Sequence, residues 1–234
     1  MHAMAWTARN SEGYAAPVAL AADAVVLTVR DGVLLVLCVR RDDGALVLPG
    51  GFVGETETPL ETVRRKLEEK TGVRQGYFEQ LATFAEPGRD PRGWVPTVAH
   101  LALVPPDTEP TDPAAAWVPA RPAPALAFDH GAILAAALDR LEGKLWWSNV
   151  AVGILPGAFP LSQARSVYAA IAGVDYDPAT FARDLKATGL IEPTGEQQAD
   201  GPGRPAALYR FVSADPAWGA GRRKRVAPPA SART

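Results

Sequence analysis

Cysteine is almost absent from this 234-residue chain. A lone thiol, Cys38, excludes an internal disulfide and a thiolate zinc cage. It lies in an apolar run, where a buried core residue is expected rather than a reactive one. Histidine is also scarce, and His2, His100 and His130 are too scattered to suggest a metal cage. No apolar run reaches the roughly 18 uncharged residues of a membrane span. The longest one near the start is broken by Asp23, then by Arg30 and Asp31. A secretory signal is not expected, because no basic, apolar, small-residue leader is present. With 47% hydrophobic and 21% charged residues, the composition is globular and excludes wholesale disorder. These features predict a soluble, reduced, cytoplasmic protein of one or two domains with no membrane partner.

The net charge of -2 hides an asymmetry. Residues 1–143 hold 13 Lys/Arg against 19 Asp/Glu, a net -6, whereas residues 144–234 hold 11 against 7, a net +4. A basic second half is suited to meeting a polyanion. The texture of the chain changes at the same place, and the expected division is 1–143, 144–213 and a disordered basic tail over 214–234 that contains Arg222-Arg-Lys-Arg225.

In the first half, Ala22–Val29 and Val33–Arg40 read as strands joined at Asp31-Gly32, a hairpin signal. A short strand over Ala45–Leu48 precedes Pro49-Gly50-Gly51, which breaks the pattern. Thr58–Thr71 reads as a helix: Thr58 caps, Pro59 opens the first turn, Gly72 ends it, and Leu60, Val63 and Leu67 share one face. Tyr77–Phe84 and Val95–Val104 read as strands around the polar loop Ala85–Trp94. Pro105–Pro124 reads as irregular apart from one strand near Ala115–Val118, and Asp129–Leu141 as a helix. The second half gives helices over Leu161–Ala172 and Pro178–Thr188, then two strands around Gly201-Pro202-Gly203. Helix, turn, helix and hairpin is the order of a winged helix-turn-helix.

The segment from Gly51 to Val73 resembles the Nudix box, with Gly51, Glu57, Arg65, Leu67, Glu69, Gly72 and Val73 matching at the family's spacing. The resemblance implies a Nudix α/β/α sandwich with a mixed sheet, an α+β arrangement. It also implies an enzyme class in which carboxylates on the box helix hold Mg²⁺ or Mn²⁺ to cut a nucleoside diphosphate. Two positions where the family has Glu are Lys66 and Lys70. Positions 66, 69 and 70 lie on one helix face, where three Glu would present -3 and this chain presents +1. For a divalent ion about 5 Å away, each unit of charge is worth about 6–7 kcal/mol at an effective dielectric near 20, and a charged lysine has no lone pair to coordinate with. Catalytic residues and a metal site are therefore not expected, even with Glu57, Arg65 and Glu69 retained. No cofactor is required; Mg²⁺ enters only with residual hydrolysis at a displaced site built from Glu57, Glu61, Glu68 and Glu69. The same inversion favours binding without cleavage. The candidate ligand residues are Gly50, Gly51, Phe52, Lys66, Lys70, Arg89 and Arg92, with Trp94 or Phe84 stacking on a base.

The second half, from Ser148-Asn149 through Leu155-Pro156, Val167-Tyr168, Gly189-Leu190, Thr194-Gly195-Glu196, Arg204-Pro205-Ala206 and Leu208-Tyr209-Arg210-Phe211, is similar to the carboxy-terminal domain of the Nudix-related NrtR transcriptional regulators. The family often carries Asn-Phe-Arg-Arg-Lys on its recognition helix; here Thr180-Phe181-Ala182-Arg183-Asp184-Leu185-Lys186 stands there. The candidate DNA contacts are Ser162 and Gln163 for backbone phosphates, Thr180, Arg183 and Lys186 on the second helix, and Arg204 and Arg210 flanking the wing. The family resemblance implies a homodimeric repressor of NAD or related nucleotide and sugar metabolism. Its partners would be a double-stranded operator and a nucleotide effector, ADP-ribose or NAD-like. The alternative is a metal-dependent hydrolase of ADP-ribose or another nucleoside diphosphate derivative.

Overall fold

Two Val- and Leu-rich runs fold back on each other at Asp31 and Gly32, whose φ angles of 49° and 76° are both left-handed, as a tight hairpin turn requires. They are β3 (Ala21–Arg30) and β4 (Val33–Arg40) in a computed structural model that describes residues 8–9, 11–13, 15–16, 19–199, 205–215 and 219. Ahead of them, β1 (Ala8–Arg9) pairs with β2 (Ala15–Ala16). β3 is buried along nearly its whole length and occupies the middle of a seven-stranded sheet. The sheet order is β5 (Leu46–Val47), β4, β3, β8 (Thr97–Leu103) and β7 (Tyr77–Phe84). β9 (Ala115–Pro119) joins β4 antiparallel, with Cys38 opposite Ala116. Cys38 is fully buried, and burial pushes its thiol up to about 12, so it is an inert core residue.

Pro49-Gly50-Gly51 does not break the sheet as expected. Gly50–Phe52 forms β6, antiparallel to β3, with Asp23 opposite Gly50. A Cβ on Gly50 would lie 2.0 Å from Asp23 Oδ1 and 2.6 Å from the Ala22 carbonyl oxygen, so only glycine lets the strands approach this closely.

Helix α1 (Pro59–Thr71) starts and stops where the sequence says. Thr58 N–H donates to Glu61 at 2.7 Å and Glu61 N–H returns the bond to Thr58 Oγ1 at 3.3 Å, a reciprocal capping box. Gly72, at φ 75°, donates its N–H to the Glu68 carbonyl at the other end. Val63 and Leu67 are buried with Thr62 and Thr71.

The chain divides into two compact units: Met1–Leu27 with Leu35–Ala102 and Asp107–Ala137, and Thr28–Leu34 with Leu103–Pro106 and Leu138–Thr234. The expected cut at 143/144 falls inside the second unit. Helix α2 (His130–Lys144) carries the chain from one unit to the other.

The second unit holds α3 (Leu161–Ala172) and α4 (Pro178–Thr188). Beside them is a three-stranded sheet in the order β10 (Phe159–Pro160), β12 (Ala206–Phe211) and β11 (Ile191–Gln198). Its core is aromatic. Trp146 meets Tyr168, Tyr176 and Phe181 edge-on, with ring centroids 5.3, 5.7 and 5.7 Å away. Asp177 caps α4 by accepting from Thr180 N–H at 2.8 Å, and Gly189 closes it at φ 72°. Arg204, and all of the expected tail except residues 214, 215 and 219, lie outside the described residues. Among the described residues no helix is long and apolar enough to cross a membrane.

Candidate functional site

The acids of the box helix are all engaged with other groups. Glu57 accepts from Arg65 Nε and Nη2 at 2.5 and 2.6 Å and from Thr62 Oγ1 at 2.8 Å, and the Arg65 guanidinium holds its carboxyl down at about 2. Glu61 closes the capping box, and Glu68 pairs with Arg74 at 2.8 Å. Glu69 lies between Lys66 Nζ at 2.7 Å and Arg65 Nη1 at 3.1 Å. Lys70 Nζ donates to the Gly50 carbonyl at 2.6 Å. No group of three or more His, Cys, Asp or Glu among the described residues is arranged to hold a metal ion. This donor set does not fit a divalent metal: the family's acidic face carries two ammonium groups, and its remaining carboxylate is bonded to one of them.

A cleft of about 400 Å³ opens between β3, β6, the end of α1, the 89–92 loop and the start of α2. Of the residues expected to bind ligand, Gly50, Gly51, Phe52, Lys70, Arg89 and Arg92 line it. Lys66 does not; its aliphatic chain packs on Gly51 and its ammonium goes to Glu69. Lys70 is partly desolvated, and that burial lowers its pKa, with Lys66 adding to the effect.

Arg89 differs most from expectation. It is not an exposed loop cation, since its side chain is only 4% exposed. Nε and Nη2 bind both oxygens of Asp129 at 2.7 Å, and Nη1 reaches the Val95 carbonyl at 2.9 Å. It braces the cleft wall, and its bidentate bond leaves little for a ligand phosphate. Arg92, in contrast, is exposed. It pairs with Asp90 at 2.6 Å, and its guanidinium stacks 4.4 Å over Phe52. Trp94 donates its indole N–H to the Ala85 carbonyl, and neither it nor Phe84 lines the cleft. The aromatic rings that do are Phe52 and Phe128, 41% and 38% exposed. Phe128 has a left-handed φ of 60°, which a bulky residue rarely adopts, and Arg41 sits 5.1 Å over its ring.

Sequence reasoning missed Asp23, Arg41, Phe128, Asp129 and His130. Asp23 carried a signal, being the one charge in its strand before Arg30. In the structure it is 6% exposed; Thr97 Oγ1 donates to its Oδ2 at 2.7 Å. His130 Nε2 and Arg89 Nη2 flank that oxygen at 3.8 and 3.9 Å. His130 Nδ1 accepts from the Leu48 N–H at 2.9 Å. This leaves the imidazole proton on Nε2, and burial pushes the His130 pKa below the usual value, so the ring is a neutral donor.

The second unit presents a different surface. Ser162 and Gln163 are exposed in the first turn of α3, and Pro160 supplies no side-chain cap, so the first N–H groups have no capping partner. On α4, Phe181, Leu185 and Thr188 face inward while Arg183 and Lys186 are exposed and Thr180 is half-buried. Arg183 Nε donates to Asp184 at 2.8 Å, and Lys186 Nζ lies 5.1 Å over the Tyr209 ring. Arg210 on the wing pairs with Glu192 at 2.9 Å.

The NUDIX domain family model matches residues 18–137, and that of the NrtR DNA-binding winged helix domain matches residues 151–211. The chain is 32% identical over 209 residues to the ADPR responsive transcriptional repressor NtrR of Acinetobacter baylyi, covering 82% of each chain. The crystal structure of Shewanella oneidensis NrtR complexed with a 27mer DNA superposes with a TM-score of 0.71 at 34% identity, over 85% of this chain and 95% of that one. An ADP-ribose pyrophosphatase of Methanocaldococcus jannaschii is 34% identical over 106 residues, 42% of this chain and 63% of that protein. With both domains matched in order and a curated relative aligned over four-fifths of its length, the chain belongs to the NrtR family, a Nudix domain followed by an NrtR-type winged helix.

Proposed function

We propose that this protein is a ligand-responsive transcriptional repressor whose Nudix cleft binds a nucleoside diphosphate of the ADP-ribose type and does not hydrolyse it. The observation that carries this reading is the Lys66–Glu69 pair beside the Lys70–Gly50 bond. Groups that would have drawn in a metal now repel it, while Lys70, Arg92 and Arg41 supply positive charge for phosphates along a cleft with two exposed aromatic rings. The A. baylyi relative is named as ADPR responsive, and the S. oneidensis relative is crystallised on DNA.

On the DNA side, α4 enters the major groove with Arg183, Lys186 and Thr180, the first turn of α3 meets phosphates through Ser162 and Gln163, and Arg210 approaches the backbone from the wing. One winged helix reaches few phosphates, so the active form is a homodimer on a two-fold operator in the cytoplasm. Release follows by linkage: the effector binds the DNA-incompetent state more tightly than the competent one, and DNA weakens effector binding by the same factor.

The second reading, a Nudix hydrolase, draws on the M. jannaschii pyrophosphatase relative and on the retained Glu57 and Arg65. One experiment separates the two. The purified protein is incubated with DNA from its own gene neighbourhood, with and without ADP-ribose, while ADP-ribose turnover with Mg²⁺ or Mn²⁺ is followed. A specific complex dissolved by ADP-ribose without multiple turnover is expected. Turnover at an ordinary enzyme rate without specific DNA binding establishes the hydrolase instead.

A further inference from the structure

We infer that Asp184 is a positioning residue that turns Arg183 away from phosphate and toward the major-groove edge of a guanine, so that this pair sets a guanine preference in the operator. The inference rests on the proposed placement of α4 in the major groove. Arg183 Nε donates to Asp184 Oδ1 at 2.8 Å, and among the described residues this is the one hydrogen bond of the Arg183 side chain. The two side chains differ in exposure, 72% for Arg183 against 15% for Asp184. The carboxylate is sheltered, and the guanidinium stands in the open.

An ion pair between exposed neighbours adds little to stability. Its consequence lies in what Arg183 can still bind. With Nε held, the free edge of the guanidinium is Nη1 and Nη2, a fork that fits the O6 and N7 acceptors of guanine. The two charges of the pair offset each other, which weakens the pull on phosphates that every sequence offers equally. The directional donors remain. Asp184 thus removes the part of Arg183 binding that carries no sequence information and keeps the part that does.

The rest of α4 leaves Arg183 room to reach a base. Phe181, Leu185 and Thr188 take the inner face. Ala179 and Ala187, four residues before and after Arg183, share its face, and both are exposed. Their methyl groups are too short to hold the helix off the base edges. Lys186, the other basic residue of α4, is drawn aside, with its ammonium 5.1 Å over the Tyr209 ring of β12. Arg183 is therefore the long donor at the middle of the outer face, and its orientation is set by Asp184.

The test uses the full-length protein and duplexes that it selects from a random pool, with binding read by fluorescence anisotropy. The selected half-site is expected to hold a guanine whose replacement by 7-deazaguanine, which lacks the N7 acceptor, weakens wild-type binding roughly five- to tenfold, the lower end of the range for a bidentate arginine–guanine pair. In D184A that penalty is expected to fall toward none, while unrelated duplexes bind more tightly and with a salt slope steeper by about one. R183K keeps the charge but has no Nε to be held, so it too should lose the penalty; it decides the matter if D184A does not fold. A penalty unchanged in D184A overturns the inference, because Asp184 then does not orient Arg183. A penalty unchanged in R183K also overturns it, because another residue then reads that guanine. A wild type that selects a specific duplex but is indifferent to every 7-deazaguanine overturns the inference and leaves the repressor reading standing. Selection of no sequence at all overturns both.

Discussion

Lys66 Nζ lies 2.7 Å from the Glu69 carboxylate, on the helix face where the Nudix family carries carboxylates for its metal. The ammonium takes the place of the cation that Glu69 would otherwise have ligated. Restoring acids should therefore restore metal affinity: K66E/K70E changes the face from +1 to -3 and frees from Lys66 the Glu69 oxygen that Arg65 does not hold. The double variant is expected to bind Mn²⁺ tightly enough to follow by electron paramagnetic resonance, where the wild type shows only free ion. A wild type that binds Mn²⁺ as well as the variant refutes the charge argument.

Glu57 and Arg65 make the other prominent pair on this helix, and their stabilisation depends on pH with a definite sign. The folded Glu57 carboxyl, held by Arg65, titrates at about 2 against an ordinary value of 4.5. Its contribution is complete above the ordinary value and fades as pH falls from about 4.5 toward 2. Urea midpoints measured from pH 7 down to pH 3 should drop more steeply in the wild type than in Glu57→Gln, which has lost that titration. Parallel curves contradict the assignment.

Much of this was legible from sequence because local rules set it. Thr58, Pro59 and Gly72 mark α1, and Asp177, Pro178 and Gly189 mark α4, through caps that depend on neighbouring residues alone. The charge reversal at Lys66 and Lys70 was likewise readable from helical spacing. The cleft was less legible because it joins residues distant in sequence. Arg89 read as a loop cation for the ligand, yet its partner Asp129 is 40 positions away. Gly50 looked like a breaker because its strand role depends on Asp23 across the sheet. Phe128 gave no periodic signal at all, and only its left-handed backbone marks it.

The Arg89–Asp129 pair can be tested directly. Both side chains are mostly buried, and their bond is bidentate. Arg89→Met leaves Asp129 without its counter-charge and should cost about 3–5 kcal/mol, the range for breaking one side of a buried pair. Arg89→Met/Asp129→Leu should recover much of that loss, because the remaining charge goes too. Denaturant unfolding of both variants and of Asp129→Leu closes the cycle. Additive losses count against an interaction between the two.

Arg183 and Asp184 give the sharpest prediction for DNA. Arg183 is 72% exposed on the outer face of α4, yet its guanidinium is bonded to the neighbouring carboxylate at 2.8 Å. On the proposed interface DNA has to compete for it, with Asp184 adding a negative charge that disfavours phosphates. Asp184→Asn frees the guanidinium and removes that charge, so affinity for the operator should rise severalfold at low salt. Because the gain is electrostatic, it should shrink as ionic strength increases. Arg183→Ala should lose about 1–3 kcal/mol on the operator if the side chain reads a base, and the loss should nearly vanish on unrelated DNA. If it meets only phosphate, the loss is the same on both sequences and the salt slope falls by about one. Fluorescence anisotropy on operator and scrambled duplexes at several salt concentrations separates these cases. Unchanged affinity in both variants removes α4 from the DNA interface.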